Sequence, residues 1–301
     1  MRKIEYLVPE EFNGTPLYYF LRECVGVSTR IIQTLRHTQK TVYINGTESR
    51  VVDKVKTNDE IIIFLPEKTE APLLWETELN VIYEDEDLLI INKPSGVSVH
   101  PTRNHPNGTL CNAVAAYLKN RGNENFVARA VGRLDKVTSG VMVFAKNAFV
   151  ASKLNGNLDK TYIALAEGVL EGEGTVNAPI YRPDMNKTIR VVGDQGDEAI
   201  TNWKALKSFG DKTILEVRTI TGRTHQIRVH CAHIGHALVG DEMYGAKSTE
   251  YMKRAALHCY KVKIVHPITN KEMTFVAELP DDLKKELEKA GFSLDKGESF
   301  C

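Results

Sequence analysis

The sequence predicts an α+β protein in two units: a small α+β domain, then a larger one on a mixed, largely antiparallel sheet with flanking helices. Three observations carry this. Apolar segments of strand length outnumber helical ones and do not alternate with them, which disfavours a doubly wound parallel sheet. An Asn45-Gly46 pair lies between extended segments near the start, a strong turn signal. A polar stretch from Glu67 to Asn80, with Pro66 and Pro72, divides the chain into residues 1–66, a linker 67–80, and residues 81–301.

In the first unit Gly14 to Cys24 reads as a helix, with Leu17, Phe20, Leu21 and Cys24 on an apolar stripe. Ser28 suits the N-cap of a second helix that turns Ile31, Ile32 and Leu35 inward. Arg30, Arg36 and Lys40 then fall on another face. Thr41 to Ile44, the Asn-Gly turn and a strand ending Ile61 to Phe64 complete the unit.

The second unit opens as a hairpin, Val81 to Tyr83 and Leu88 to Ile91, about an acidic turn from Glu84 to Asp87. Strands are expected at Val141 to Ala145, Tyr162 to Glu167, Thr188 to Val192, Thr201 to Leu206 and Ile214 to Ile220. A last helix spans Asp281 to Gly291, with Leu283 and Leu287 inward and Gly291 as its stop.

Composition narrows the function classes. The 301 residues are 42% hydrophobic and 26% charged, an ordinary soluble mix. No apolar run approaches the roughly 20 residues that span a bilayer. Glu5, Glu10 and Glu11 follow Arg2 and Lys3, which is not a signal peptide. The five cysteines are scattered, odd in number and never spaced C-x-x-C. A disulfide scaffold or structural zinc is thus not expected, and a reducing cytoplasm is. Formal net charge is zero, so a nucleic-acid partner would have to be met by local clustering.

Four constellations could carry chemistry. Gly132 to Gly140 is a polar loop holding Arg133 and Asp135, and it runs straight into the apolar Val141 to Ala145. A buried strand fixes the loop before it at the sheet edge, where a scaffold can present a catalytic side chain. The plainer alternative is that Asp135 caps the amides of Thr138 or Ser139. The second runs from Thr221 to Gly235. Thr224 can cap a helix with Ile227, Cys231 and Ile234 buried and Gly235 closing it. Arg228 adjoins that stripe, and a buried arginine needs a carboxylate, for which Asp135 is one candidate. His225, His230, His233 and His236 lack H-E-x-x-H spacing and share no single face, so no metal is expected. The third is Lys160-Thr161-Tyr162, and the fourth Asn92-Lys93-Pro94-Ser95-Gly96 with His100 nearby.

The order and content of these blocks resemble the RluA-type pseudouridine synthases from about Val81 to Leu279. The matching blocks are Asn92-Lys93-Pro94-x-Gly96, Arg133-Leu134-Asp135-x-x-Thr138-Ser139-Gly140, Lys160-x-Tyr162 and Gly222 to His230, with Leu257-His258 and His266-Pro267 near the end. The first unit, over roughly Gly14 to Leu65, resembles the compact RNA-binding domain named after a small-subunit ribosomal protein. It often precedes this catalytic domain, and the resemblance implies that Arg30, Arg36 and Lys40 meet RNA. The family resemblance implies an isomerase that needs no cofactor and no metal. Asp135 is then the nucleophile or essential base, Arg228 its charge partner, and Tyr162 the platform on which the extracted uracil stacks. Arg133 is implied to fill the vacated space or hold the backbone during flipping, Asn92, Lys93 and His100 to be scaffold or RNA contacts of the substrate, and Arg223 and His225 to bind the substrate. Gly132 stands where the family usually carries His or Asn, so a side-chain contact is missing there. The expected partner is RNA, ribosomal rather than transfer, met by a cytoplasmic monomer with no membrane attachment.

Overall fold

The computed structural model describes residues 2–65, 73–122, 127 and 129–294. Pro66, Pro72 and residues 67–71 of the expected linker therefore lie outside the described residues, as do residues 295–301.

Residues 2–65 form strands β1 (Arg2–Leu7), β2 (Val42–Ile44), β3 (Thr47–Glu48) and β4 (Glu60–Leu65), with helices α1 (Leu17–Glu23) and α2 (Thr29–His37). The strands make one antiparallel sheet in the order β1-β4-β2-β3. Ser28 caps α2 as its chemistry predicts, its hydroxyl accepting from the Ile31 N–H at 3.4 Å, and Ile31, Ile32 and Leu35 are buried. Asn45 and Gly46 both have positive φ, the conformation a tight hairpin turn demands. Two expectations need correction. Cys24 is exposed, because α1 ends at Glu23 and only Leu17, Phe20 and Leu21 turn inward. The second is an omission, strand β1, whose short alternation of Ile4 and half-buried Tyr6 is masked by Leu7, apolar but 68% exposed.

Beyond the linker come β5 (Val81–Glu84), β6 (Leu88–Lys93), α3 (Leu110–Lys119), β7 (Arg129–Val131), β8 (Ser139–Ala145), α4 (Ala148–Leu154) and β9 (Asp159–Glu167). They are followed by β10 (Glu173–Asn177), β11 (Ile180–Tyr181), β12 (Val191–Val192), β13 (Ile200–Phe209), β14 (Lys212–Thr219), α5 (Gln226–His233), β15 (Leu257–Val265), β16 (Glu272–Val276) and α6 (Asp281–Glu288). The main sheet runs β10-β13-β14-β9-β15-β8-β6-β5, with β16 added to β15 and β7 to β8. Every pairing within it is antiparallel except β15 with β8, where His258 and Cys259 lie beside Ser139 and Gly140. The expected α+β, largely antiparallel architecture is the one found.

That single parallel pairing positions the site. Two antiparallel halves meet at a seam formed by β8 and β15, whose N-terminal ends lie side by side. Gly140 is required there. Its φ is +117°, and a Cβ would come within 2.2 Å of the Cys259 carbonyl oxygen. β8 is buried at every residue, so the loop before it is anchored on an immobile strand. The expected strand at Thr188 to Val192 shrinks to Val191–Val192 in a separate two-stranded hairpin with β11.

The acidic turn does more than reverse the chain. Arg2 grips Asp87 with Nε and Nη2 at 2.9 and 3.0 Å, and its Nη1 reaches Glu86 at 2.9 Å. Asp87 is buried and also accepts from Asn147 at 2.8 Å, so a charge-assisted pair docks the first sheet onto the second unit.

Candidate active site

The loop before β8, the face of β9, the turn before α5 and the start of β15 enclose a cavity of about 300 Å³. It is lined by Arg133, Asp135, Lys160, Tyr162, Arg223, His225 and Arg228, among others. The size is near the lower end for small-ligand pockets, roughly 300–1,000 Å³. Residues from three separate sequence blocks thus share one wall.

Asp135 does not cap the turn with its side chain. Its main-chain oxygen accepts from the Thr138 N–H at 3.1 Å, which leaves the carboxylate facing the cavity with 14% of its side chain exposed. Arg228 is buried on α5, as its place beside the apolar stripe predicts, but Asp135 is not its main partner. Asp241 is: Nε and Nη2 of Arg228 each donate to its carboxylate at 2.7 Å. Asp135 lies 3.9 Å from Nη1. The physical reason is burial. Arg228 needs a full counter-charge inside the protein, and the buried Asp241 supplies it, so the guanidinium faces Asp135 without being neutralised by it.

Thr224 is not the cap of α5. His225 takes the N-cap position in a left-handed conformation, and the turn is closed by Gln226, whose Oε1 accepts from Arg223 N–H and Thr221 hydroxyl at 2.9 and 2.8 Å. His225 Nδ1 lies 2.9 Å from the Tyr244 hydroxyl, which itself accepts from the Arg190 N–H at 3.1 Å. Tyr244 thus ties the His225 ring to the Arg190 backbone. Burial pushes this imidazole down to about 4, against the pull of Asp135, so it is neutral at neutral pH. Two further histidines are bonded elsewhere, His230 to Thr201 Oγ1 and the Ala178 carbonyl at 2.8 and 2.9 Å and His236 to the Glu167 carbonyl at 2.8 Å, while His233 is exposed.

Tyr162 is nearly enclosed, 7% exposed, beside Cys259 on the neighbouring strand. Burial, then Cys259 and Asp135, hold its phenol well above the usual tyrosine range. It keeps its proton at any working pH, so it can stack or donate but not act as a phenolate base.

The remaining foreseen contacts fall elsewhere. Lys93 is fully buried and cannot touch a substrate. Its ammonium donates to the carbonyls of Pro94 and Val97 at 2.8 Å and of Lys136 at 3.4 Å, tying the Pro94 turn to the Asp135 loop. Burial pushes the amine down to about 7. Arg254 holds the same loop from the other side through the Val137 carbonyl at 3.0 Å, while gripping Asp282. Asn92 lines a second cavity and donates to the Glu278 carbonyl at 3.2 Å. His100 is exposed at the surface, 3.6 Å from the Cys111 thiol and outside the first cavity; partial desolvation of its ring and then the nearby Arg133 charge lower its pKa.

Sequence reasoning missed Asp241, Tyr244, Arg190 and Arg254, which lie outside the blocks it singled out. Val239-Gly240-Asp241 did carry a signal: Gly240 has positive φ and a Cβ there would meet the Arg254 carbonyl at 2.3 Å, the mark of a tight crossing.

Residues 87–233 match the family described as RNA pseudouridylate synthase. YhcT of Bacillus subtilis (strain 168), described as an uncharacterized RNA pseudouridine synthase, is 38% identical over 293 residues, which cover 94% of this chain and 96% of that one. The chain belongs to the RNA pseudouridine synthase family. It is an isomerase of the RluA type, as the blocks around Asp135 and Arg228 imply. The ribosomal large subunit pseudouridine synthase D of Haemophilus influenzae is 39% identical to this synthase over 246 residues, 74% of each chain. Human RNA pseudouridylate synthase domain containing 4 shares its fold, with a TM-score of 0.57 at 23% identity over 71% of this chain and 94% of that one.

The buried histidines of this synthase give it an acid limit. His258, fully buried between Ser139 and the Ala277 carbonyl, is pushed by burial down to about 4, against 6.5 in the unfolded chain. Between those values the unfolded state binds more protons, so stability is lost as pH falls from 6.5 towards 4, by up to about 1.4 kcal/mol per pH unit for this group. Urea midpoints measured across that range are expected to fall, and to fall less steeply in His258→Gln.

Proposed function

We propose that this synthase converts uridine to pseudouridine in large-subunit ribosomal RNA, with Asp135 as its catalytic carboxylate. The observation that carries the assignment is the Asp135 carboxylate itself: free of turn bonds, it faces a cavity whose wall holds Tyr162 and a pre-paired Arg228. The reaction breaks the bond from ribose to the ring nitrogen, turns the base and joins ribose to carbon 5. The carbon-5 hydrogen leaves, the former glycosidic nitrogen gains a proton, and nothing is oxidised or reduced.

Each neighbour has a part. Arg228 sets a cation 3.9 Å from Asp135 without sealing it, since its own charge is met by Asp241. Tyr162 offers the extracted uracil a stacking face, a contact of about 1–3 kcal/mol. Arg133, exposed at the mouth, fills the space that the base vacates, where extrusion costs on the order of a few kcal/mol. Arg223 and His225 line the same cavity and bind the substrate there, and exposed His100 meets the RNA strand near Arg133.

The first unit extends the RNA footprint. Arg30, Arg36 and Lys40 are exposed, and among the described residues their side chains make no ion pair, so their charge is available to phosphates. The ribosomal target is supported by the relative from Haemophilus influenzae, whose name specifies the large ribosomal subunit. The described cysteines are all free, which suits a reducing cytoplasm, and a monomer suffices because one chain supplies the whole cavity wall. Among the described residues no helix is long and apolar enough to cross a membrane.

The test is tritium release from carbon-5-labelled transcripts. Release from large-subunit ribosomal RNA but not from transfer RNA is expected; the reverse would reassign the target, and release from neither would remove the activity.

A further inference from the structure

The cavity holds one charge that the reading above leaves idle. Lys160 and Tyr162 are two residues apart on β9, so both side chains leave the same face, roughly 6–7 Å apart along the strand. Lys160 lines the cavity, and among the described residues its ammonium has neither an ion-pair partner nor a hydrogen-bond acceptor. It lies against Gly132, where a Cβ would come within 3.1 Å of Nζ. Gly132 is in the left-handed region, φ +69°, next to Arg133 at the mouth. The absence of a side chain at 132 is what lets the ammonium reach the entrance.

We infer that Lys160 is a positioning residue that binds the phosphodiester of the extruded nucleotide, in the space left open by Gly132. The inference rests on the proposed uridine isomerisation. A nucleotide that enters the cavity strips water from Lys160, and a desolvated ammonium without a counter-charge is costly. The only anionic group a nucleotide brings is its phosphate. A uracil carbonyl would accept a hydrogen bond but leave the charge uncompensated. The geometry allows it: Lys160 Nζ sits by Gly132, next to Arg133, one same-face position along β9 from Tyr162. Burial already lowers the Lys160 pKa, and an arriving phosphate favours the protonated form again.

Steady-state tritium release across a salt series tests this with wild type, Lys160→Met and Lys160→Arg, on the transcript from which wild type releases label. Lys160→Met is expected to raise KM roughly tenfold with kcat within about threefold. Its log kcat/KM should fall with log salt by about 0.7–0.9 less per decade than wild type, one phosphate contact fewer. Lys160→Arg should restore the slope. An unchanged slope with lost kcat would overturn the inference in favour of a contact to the base. A fall in melting temperature, with Lys160→Arg as inactive as Lys160→Met, would overturn it in favour of a structural strut. Absence of release by wild type would instead remove the underlying activity, an outcome read before any variant is compared.

Discussion

Asp135→Asn is expected to lower tritium release by at least about 10⁴-fold while RNA affinity stays within about threefold of wild type. Removal of a reacting group costs factors of this order when the rest of the site is intact, and here it remains so. The turn bond to the Thr138 N–H comes from the main chain, so it survives the substitution. Arg228 keeps both of its 2.7 Å bonds to Asp241, so no buried charge is orphaned and stability should change by less than about 1 kcal/mol. The checks are label release, filter binding to the same transcript, and thermal melting. A variant that folds, binds and still releases label within tenfold of wild type would show that Asp135 is not the reacting carboxylate, and attention would pass to Asp241.

That the two carboxylates must be told apart by experiment shows what a sequence does and does not display. Helix α2 was legible because one residue, Ser28, both caps it and sets its register, and its buried positions follow at helical spacing. β8 was legible because a strand buried on both faces reads as an apolar run, and that run points to the loop it anchors. β1 was not, since its alternation rests on Ile4 and the half-buried Tyr6 alone, and the apolar but exposed Leu7 breaks it. The site followed the same rule. Asp135, Tyr162 and Arg228 were found through blocks dense in polar residues. Asp241 pairs with Arg228 across 13 positions by a contact that only the fold makes, and its neighbours carry no helical or strand period. Lys93 was open to two readings, scaffold or RNA contact, and only the packing of three carbonyls around this last residue of β6 decides for the strut.

Asp241→Ala is expected to cost both stability and activity, and to do so through Arg228. Loss of one partner from a buried, bidentate pair leaves an uncompensated charge, a penalty of about 3–5 kcal/mol. For a chain of this length that corresponds to a melting temperature lower by roughly 5–8 °C. The nearest remaining carboxylate is Asp135, 3.9 Å from Arg228 Nη1, so the freed guanidinium closes on it and occupies the group that should face the uridine. The fall in kcat is then on the order of 10²–10³-fold, as for loss of one preorganised electrostatic contact. Stability and catalysis are separated by Arg228→Met combined with Asp241→Leu, which removes both buried charges together. Such replacements are often neutral for folding, so the double variant should recover most of the melting temperature and none of the activity. If it recovered activity as well, the pair would be only a fold element, and Asp135 would need no cation beside it. If Asp241→Ala alone left both readouts unchanged, Arg228 would have found its counter-charge elsewhere, and the division of labour between the two aspartates would fall.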